Sequence, residues 1–101
     1  MKKLATLFAF SFALASAAEM TGWISDSSCG KANASGSPEA RACAERCLKG
    51  GSTAVFVSDA DGKVYKLNDA SKAATLTKNK VKINGTIKGD TIEIASIDYA
   101  K

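Results

Sequence analysis

The chain has 101 residues, no histidine, three cysteines and a formal net charge of +4. That length holds one small domain and leaves no room for a second. Without histidine, without a Gly-rich phosphate loop after a strand and without a carboxylate pair at catalytic spacing, the composition argues against an enzyme and implies no cofactor.

Lys2 and Lys3 precede the apolar run of residues 4–14, and Ala15-Ser16-Ala17 offers small residues at the two positions a signal peptidase reads. Residues 1–17 therefore read as a secretory signal peptide. The apolar run is about half of the roughly 20 residues a bilayer span needs, and no cysteine follows it to carry a lipid anchor. Residues 18–101 are thus expected to form a single exported domain, periplasmic or secreted, with no membrane anchor after cleavage. Loss of Lys2 and Lys3 lowers the net charge from +4 to +2, so overall charge names no partner.

Residues 21–26, TGWISD, read as a short strand with Trp23 as a core side chain. Residues 30–37, GKANASGS, read as a flexible loop. A helix then starts at Ser37-Pro38-Glu39, where serine caps, proline is preset for the first turn and glutamate meets the positive end of the dipole. Gly50-Gly51 ends it. Ala40, Cys43, Ala44, Cys47 and Leu48 form one apolar stripe that should face the core, leaving Arg41, Glu45, Arg46 and Lys49 in water. Residues 54–58 and 63–67 read as strands joined by Asp59-Ala60-Asp61-Gly62. Two aspartates around a glycine suggest a calcium loop, but the later ligands are missing, so this is a turn with Gly62 in the left-handed region. Asn68 or Asp69 can cap a short helix through Ala73, Ala74 and Leu76.

Residues 80–99 carry the clearest pattern. Val81, Ile83, Gly85 and Ile87 alternate with polar residues at the period of a half-buried strand, and Gly89-Asp90 supplies a two-residue hairpin turn. The resulting register sets Ile87 opposite Ile92, Thr86 opposite Glu93 and Gly85 opposite Ile94. Ile97 would then point outward unless a bulge at Ala95 or Ser96 absorbs one residue.

Five strands, a short helix between the third and fourth, and an extra helix in the first connection give a mainly β fold. The order fits a small five-stranded barrel of the oligonucleotide/oligosaccharide-binding (OB) type, with an SH3-like barrel as the rival. In an OB-like barrel the second and third strands carry the usual ligand surface, which makes Phe56, Tyr65, Lys63 and Lys66 candidate contacts for a glycan. Lys78, Lys80, Lys82 and Lys88 share the outer face of the last hairpin and are candidates for an envelope polyanion. Lysines on an exposed strand also block edge-to-edge pairing. Nucleic acid is disfavoured, because the row has no interleaved aromatic residues.

Cys29, Cys43 and Cys47 would meet an oxidising compartment, where thiols tend to pair. Cys43 and Cys47 lie one turn apart on one helix face, with parallel Cβ directions that suit a disulfide poorly. Cys29 is the expected partner of one of them. Antiparallel pairing of the first two strands brings the helix end back to the end of the first strand, favouring Cys47, with Cys43 as the alternative. Cys43 would then remain a buried, unreactive thiol with a raised pKa. The competing reading is a soft-metal site for copper or zinc through Cys29, Cys43 and Cys47.

The runs GWISDSSCG, CAERCLKGG, VFVSD, DGKVYKL and VKINGTIKGDTIEIASI resemble small exported bacterial proteins of undefined function, over nearly the whole of residues 18–101. The resemblance implies an OB-like barrel with a cysteine-bearing helix, serving as a non-catalytic binding or structural module of the bacterial envelope or medium. It also implies a histidine near the helix cysteines, which would complete a metal site. This chain has none.

Overall fold

A computed structural model describes residues 16–100. The expected signal peptide lies outside the described residues up to position 15. Strand β1 (Ser16–Asp26) is followed by a 3-10 turn (Gly30–Asn33), helix α1 (Pro38–Lys49), β2 (Ala54–Ser58), β3 (Val64–Leu67), the short helix α2 (Ala70–Ala73), β4 (Val81–Lys88) and β5 (Thr91–Tyr99). The strands close into a barrel in the order β1-β2-β3-β5-β4. Closure comes from the parallel pairing of β3 with β5 and the antiparallel pairing of β1 with β4. This is the OB-like arrangement, with α1 inserted between the first two strands.

The last hairpin carries the register its alternation predicts: Gly85 pairs with Ile94, Thr86 with Glu93 and Ile87 with Ile92. Asn84 then pairs with Ser96, so Ala95 is the extra residue of a bulge and Ile97 turns back into the core. Gly89 takes a left-handed φ of 63° in the turn.

Strand β1 is longer than the six residues its sequence marks. Its first half, Ser16 to Gly22, pairs with β4, and its second half, Gly22 to Asp26, pairs with β2. Only the second half has the Trp and Ile that announce a strand; the first is recruited by the exposed edge of β4. One strand can serve two neighbours only by coiling sharply, and Gly22 sits at the corner. A Cβ there would lie 2.1 Å from the Val57 carbonyl oxygen and 2.8 Å from the Phe56 ring.

The core contains Ile24, Ala54, Phe56, Tyr65, Leu67, Ala73, Val81, Ile83, Ile92 and Ile97. Every residue of β2 is buried, because the segment between β1 and β2 folds back over its outer face. The 3-10 turn packs on β1 and β2, and α1 packs on β1. Helix α1 has the predicted cap, with Ser37 Oγ accepting the Ala40 N–H at 3.1 Å and Pro38 in the first turn. Its inward stripe is narrower than expected. Ala40 and Ala44 are buried, while Cys43 and Cys47 are only half-buried and face the 3-10 turn rather than the barrel core.

Arg41, which helical periodicity places in water, lies over the barrel wall. Its guanidinium donates to the carbonyls of Ile24 at 3.0 Å, Thr77 at 2.6 Å, Ser35 at 2.8 Å and also Asn33. Burial pulls its pKa down. Its carbon rests 5.0 Å from the ring centre of Trp23, which is half-buried on the outer face of β1 and not in the core. The single fork thus ties α1 to β1, to the preceding loop and to the segment before β4, a geometry lysine cannot reproduce.

Two changes test this frame. Gly22→Ala is expected to cost about 3 kcal/mol in urea denaturation, since the contact to the Val57 carbonyl cannot relax without moving β2, whereas Gly50→Ala, which meets only ordinary contacts, should cost under about 1 kcal/mol. Arg41→Lys is expected to lose about 2 kcal/mol through the lost charge-assisted hydrogen bonds; stability equal to wild type would refute the fork as a structural tie.

Candidate metal centre

Two chain segments deliver three cysteines to one place: the turn after β1 carries Cys29, and α1 carries Cys43 and Cys47. Asp26 ends β1, and its fully buried carboxylate organises the next seven residues of the chain: Oδ2 accepts the Cys29 N–H at 3.0 Å and Oδ1 accepts the Asn33 side-chain amide at 2.8 Å. Ser25 Oγ donates to the Gly30 carbonyl at 2.7 Å. Together these bonds fix the 3-10 turn, with exposed Cys29 at its N-cap. Cys43 and Cys47 come from α1, four residues apart and so on one face.

The helix end is laced to the same corner. Ser27 N–H donates to the Thr53 carbonyl at 2.8 Å, Thr53 N–H to Ser27 Oγ at 3.2 Å, and the hydroxyls of Ser28 and Ser52 lie 2.9 Å apart. The result is a triangle in which the sulfurs of Cys29, Cys43 and Cys47 all lie within 4.8 Å of one another.

No sulfur is bonded to another; all three are free thiols. The expected Cys29–Cys47 disulfide, and its Cys43 alternative, are therefore not formed here. The premise behind them holds, since β1 and β2 are antiparallel and the helix end returns to the end of β1. What the pairing argument missed is that the returning helix brings both of its cysteines to Cys29, so no one pair is singled out.

The thiols are electrostatically unequal. The Asp26 carboxylate, then burial, raises the pKa of Cys29, and burial, then Asp26, raises that of Cys47. Cys43 is lowered, first by a hydrogen bond from the Asn33 side chain, which outweighs burial, with help from Cys47, Arg46 and Cys29. Cys43 is thus the thiol of the set whose ionised form is favoured, and it is half-buried and not, as the sequence suggested, buried with a raised pKa.

The other candidates are placed less favourably. Phe56 is fully buried and Tyr65 nearly so; they pair across β2 and β3 inside the barrel and leave no face for a ligand. This corrects their assignment as contacts, and its cause is that both side chains point into the barrel core. Lys63 lies over the Tyr65 ring at 5.1 Å, and Lys66 lies 3.9 Å from Asp90. In the lysine row, Lys80 pairs with Asp59 at 2.7 Å, Lys82 with Glu19 at 3.5 Å and Lys88 with Glu93 at 3.2 Å. Lys78 has no ion pair among the described residues. The row is therefore mostly neutralised by its own neighbours. Asp61 takes the expected turn role, accepting the Lys63 N–H at 2.9 Å, with Gly62 at φ 71°. No helix among the described residues is long and apolar enough to cross a membrane.

Asp26, Asn33 and Arg41 are the residues sequence reasoning passed over. The only signal was the spacing Asp26-Ser-Ser-Cys29, which suits an aspartate accepting a backbone N–H three residues on. Compared with protein-family models, curated proteins and solved structures, the chain matches none.

Burial raises the Asp26 carboxyl, but its hydrogen bonds from Asn33, Cys29 and Ser28 outweigh that and hold it below the usual carboxylate range. A depressed folded pKa contributes stability that is complete above the unfolded carboxyl pKa and lost as pH falls through the folded one. Acid unfolding below about pH 4 is accordingly expected to lose part of its pH dependence in Asp26→Asn, with a loss of roughly 2 kcal/mol at neutral pH. Superimposable acid-unfolding curves for the two proteins would contradict the role given to this carboxylate.

Proposed function

We propose that this protein is a small, exported, non-catalytic barrel of the bacterial envelope or medium that binds a thiophilic metal through Cys29, Cys43 and Cys47. The observation that carries the reading is the convergence of three free sulfurs within 4.8 Å. Thiolates select soft ions, and copper(I) accepts three of them without a fourth ligand. The lowered pKa of Cys43 favours this thiol as the first to ionise toward an arriving cation, whose charge then favours deprotonation of the other two. Asp26 holds the Cys29 backbone and Asn33 holds Asp26, an outer support of the kind that commonly orients metal-binding groups. Export rests on residues 1–17 and the family on the sequence resemblance, which also points to an exported OB-like barrel.

Reduced protein titrated with copper(I) held by a competing chelator is expected to bind one ion with sulfur-to-copper charge-transfer absorption. Cys43→Ser should abolish that signature, and Asn33→Ala should weaken affinity by about 10-fold. Failure to compete for the ion, with one disulfide and one alkylatable cysteine in the protein as exported, would overturn the proposal in favour of a structural cross-link.

A further inference from the structure

The three-sulfur site carries information about the class of ion it takes, and this deepening rests on the reading of Cys29, Cys43 and Cys47 as a thiophilic centre. First, the donor count is three. Among the described residues no further Cys or carboxylate joins the group. The nearest carboxylate, Asp26, is committed through Oδ1 to the Asn33 amide and through Oδ2 to the Cys29 N–H. A tetrahedral ion would have to complete its shell from solvent.

Second, the surroundings do not favour surplus negative charge. One exposed cation, Arg46, favours charge on Cys43 alone, against the fully buried Asp26 carboxylate behind the turn that carries Cys29. Three thiolates around a monovalent ion leave a doubly negative centre, and around a divalent ion a singly negative one. Either meets the fixed Asp26 charge at short range in a partly desolvated place. A trivalent centre is neutral. Third, the triangle is one-sided: Cys43 and Cys47 are half-buried on one helix face while Cys29 is exposed. Such a set suits a pyramidal centre seated above the plane of the sulfurs, with its lone pair directed to solvent.

We infer that the ligand class of this site is a trivalent metalloid acid, with arsenous acid as the type. Binding is a condensation of As(OH)3 with three thiols. Three As–O bonds break and three As–S bonds form; each departing hydroxide takes one thiol proton and leaves as water. Arsenic stays trivalent and no electrons move. The incoming species is uncharged, so the Asp26 carboxylate does not oppose its approach or its product.

The test uses the reduced, exported protein in parallel titrations with arsenite, copper(I) and zinc(II), read by native mass spectrometry and ultraviolet sulfur-to-ligand absorption. A single adduct of one arsenic less three protons is expected, together with displacement of prebound zinc by equimolar arsenite. Cys29→Ser, Cys43→Ser and Cys47→Ser, each checked for a native circular dichroism spectrum, should each weaken arsenite binding at least 10-fold. Copper(I) binding without an arsenic adduct, or arsenite binding unchanged in any one of the three variants, would overturn this inference while leaving the thiophilic site standing. Absence of binding by all three ions would overturn both.

Discussion

The carboxylate of Asp26 is taken fully out of water at the point where β1 leaves the barrel, and the arrangement of the inserted segment depends on how that charge is satisfied. Burying an unpaired carboxylate costs several kcal/mol, so the chain must return donors to it at once. Within seven residues it does so, with the Cys29 N–H and the Asn33 amide. That requirement curls the chain into the 3-10 turn and puts Cys29 at its start. The same Asn33 that satisfies Asp26 also favours the thiolate of Cys43. One buried charge therefore positions one sulfur and tunes another.

Arg41 closes the insertion from the other side. A helix of 12 residues whose buried face is little more than Ala40 and Ala44 has too small an apolar stripe to hold itself on a barrel by area alone. The guanidinium replaces area with directed bonds to four carbonyls. Because those carbonyls come from β1, the loop and the segment before β4, the helix is fixed in rotation as well as position. Its rotation decides that Cys43 and Cys47 look along the barrel surface toward Cys29 and not into the core.

What could be read from the sequence was what is determined locally. The register of β4 and β5, the Ala95 bulge and the Ser37 cap depend on residues close in the chain, and alternation with turn chemistry specifies them. The first half of β1 was not legible, because Ser16 to Thr21 form a strand only by joining the β4 edge. Arg41 was misread for a related reason: a helical wheel assigns charged residues to water, and nothing local announces that the carbonyls of Ile24 and Thr77 will come within its reach. Phe56 and Tyr65 looked available because the second and third strands of such barrels carry the usual ligand surface; strand alternation alone did not say that both point into the core. At the cysteines, spacing showed which residues would meet but not that all three sulfurs would meet at once.

The meeting of three sulfurs bears on chemistry as well as on prediction. A disulfide selects two sulfurs and leaves the third without a role, whereas a trigonal centre uses all three equally. Cys43 and Cys47 cannot easily bond to each other from one helix face, so oxidation would have to draw Cys29 toward one of them and away from the other. The turn that carries Cys29 resists such a choice, since Asp26 and the Ser25 hydroxyl hold its backbone in place. A turn fixed by a buried carboxylate, facing two cysteines on a helix fixed by a four-way guanidinium, keeps three donors within 4.8 Å of one another. An ion can satisfy all three donors at once, whereas a cross-link would break that arrangement.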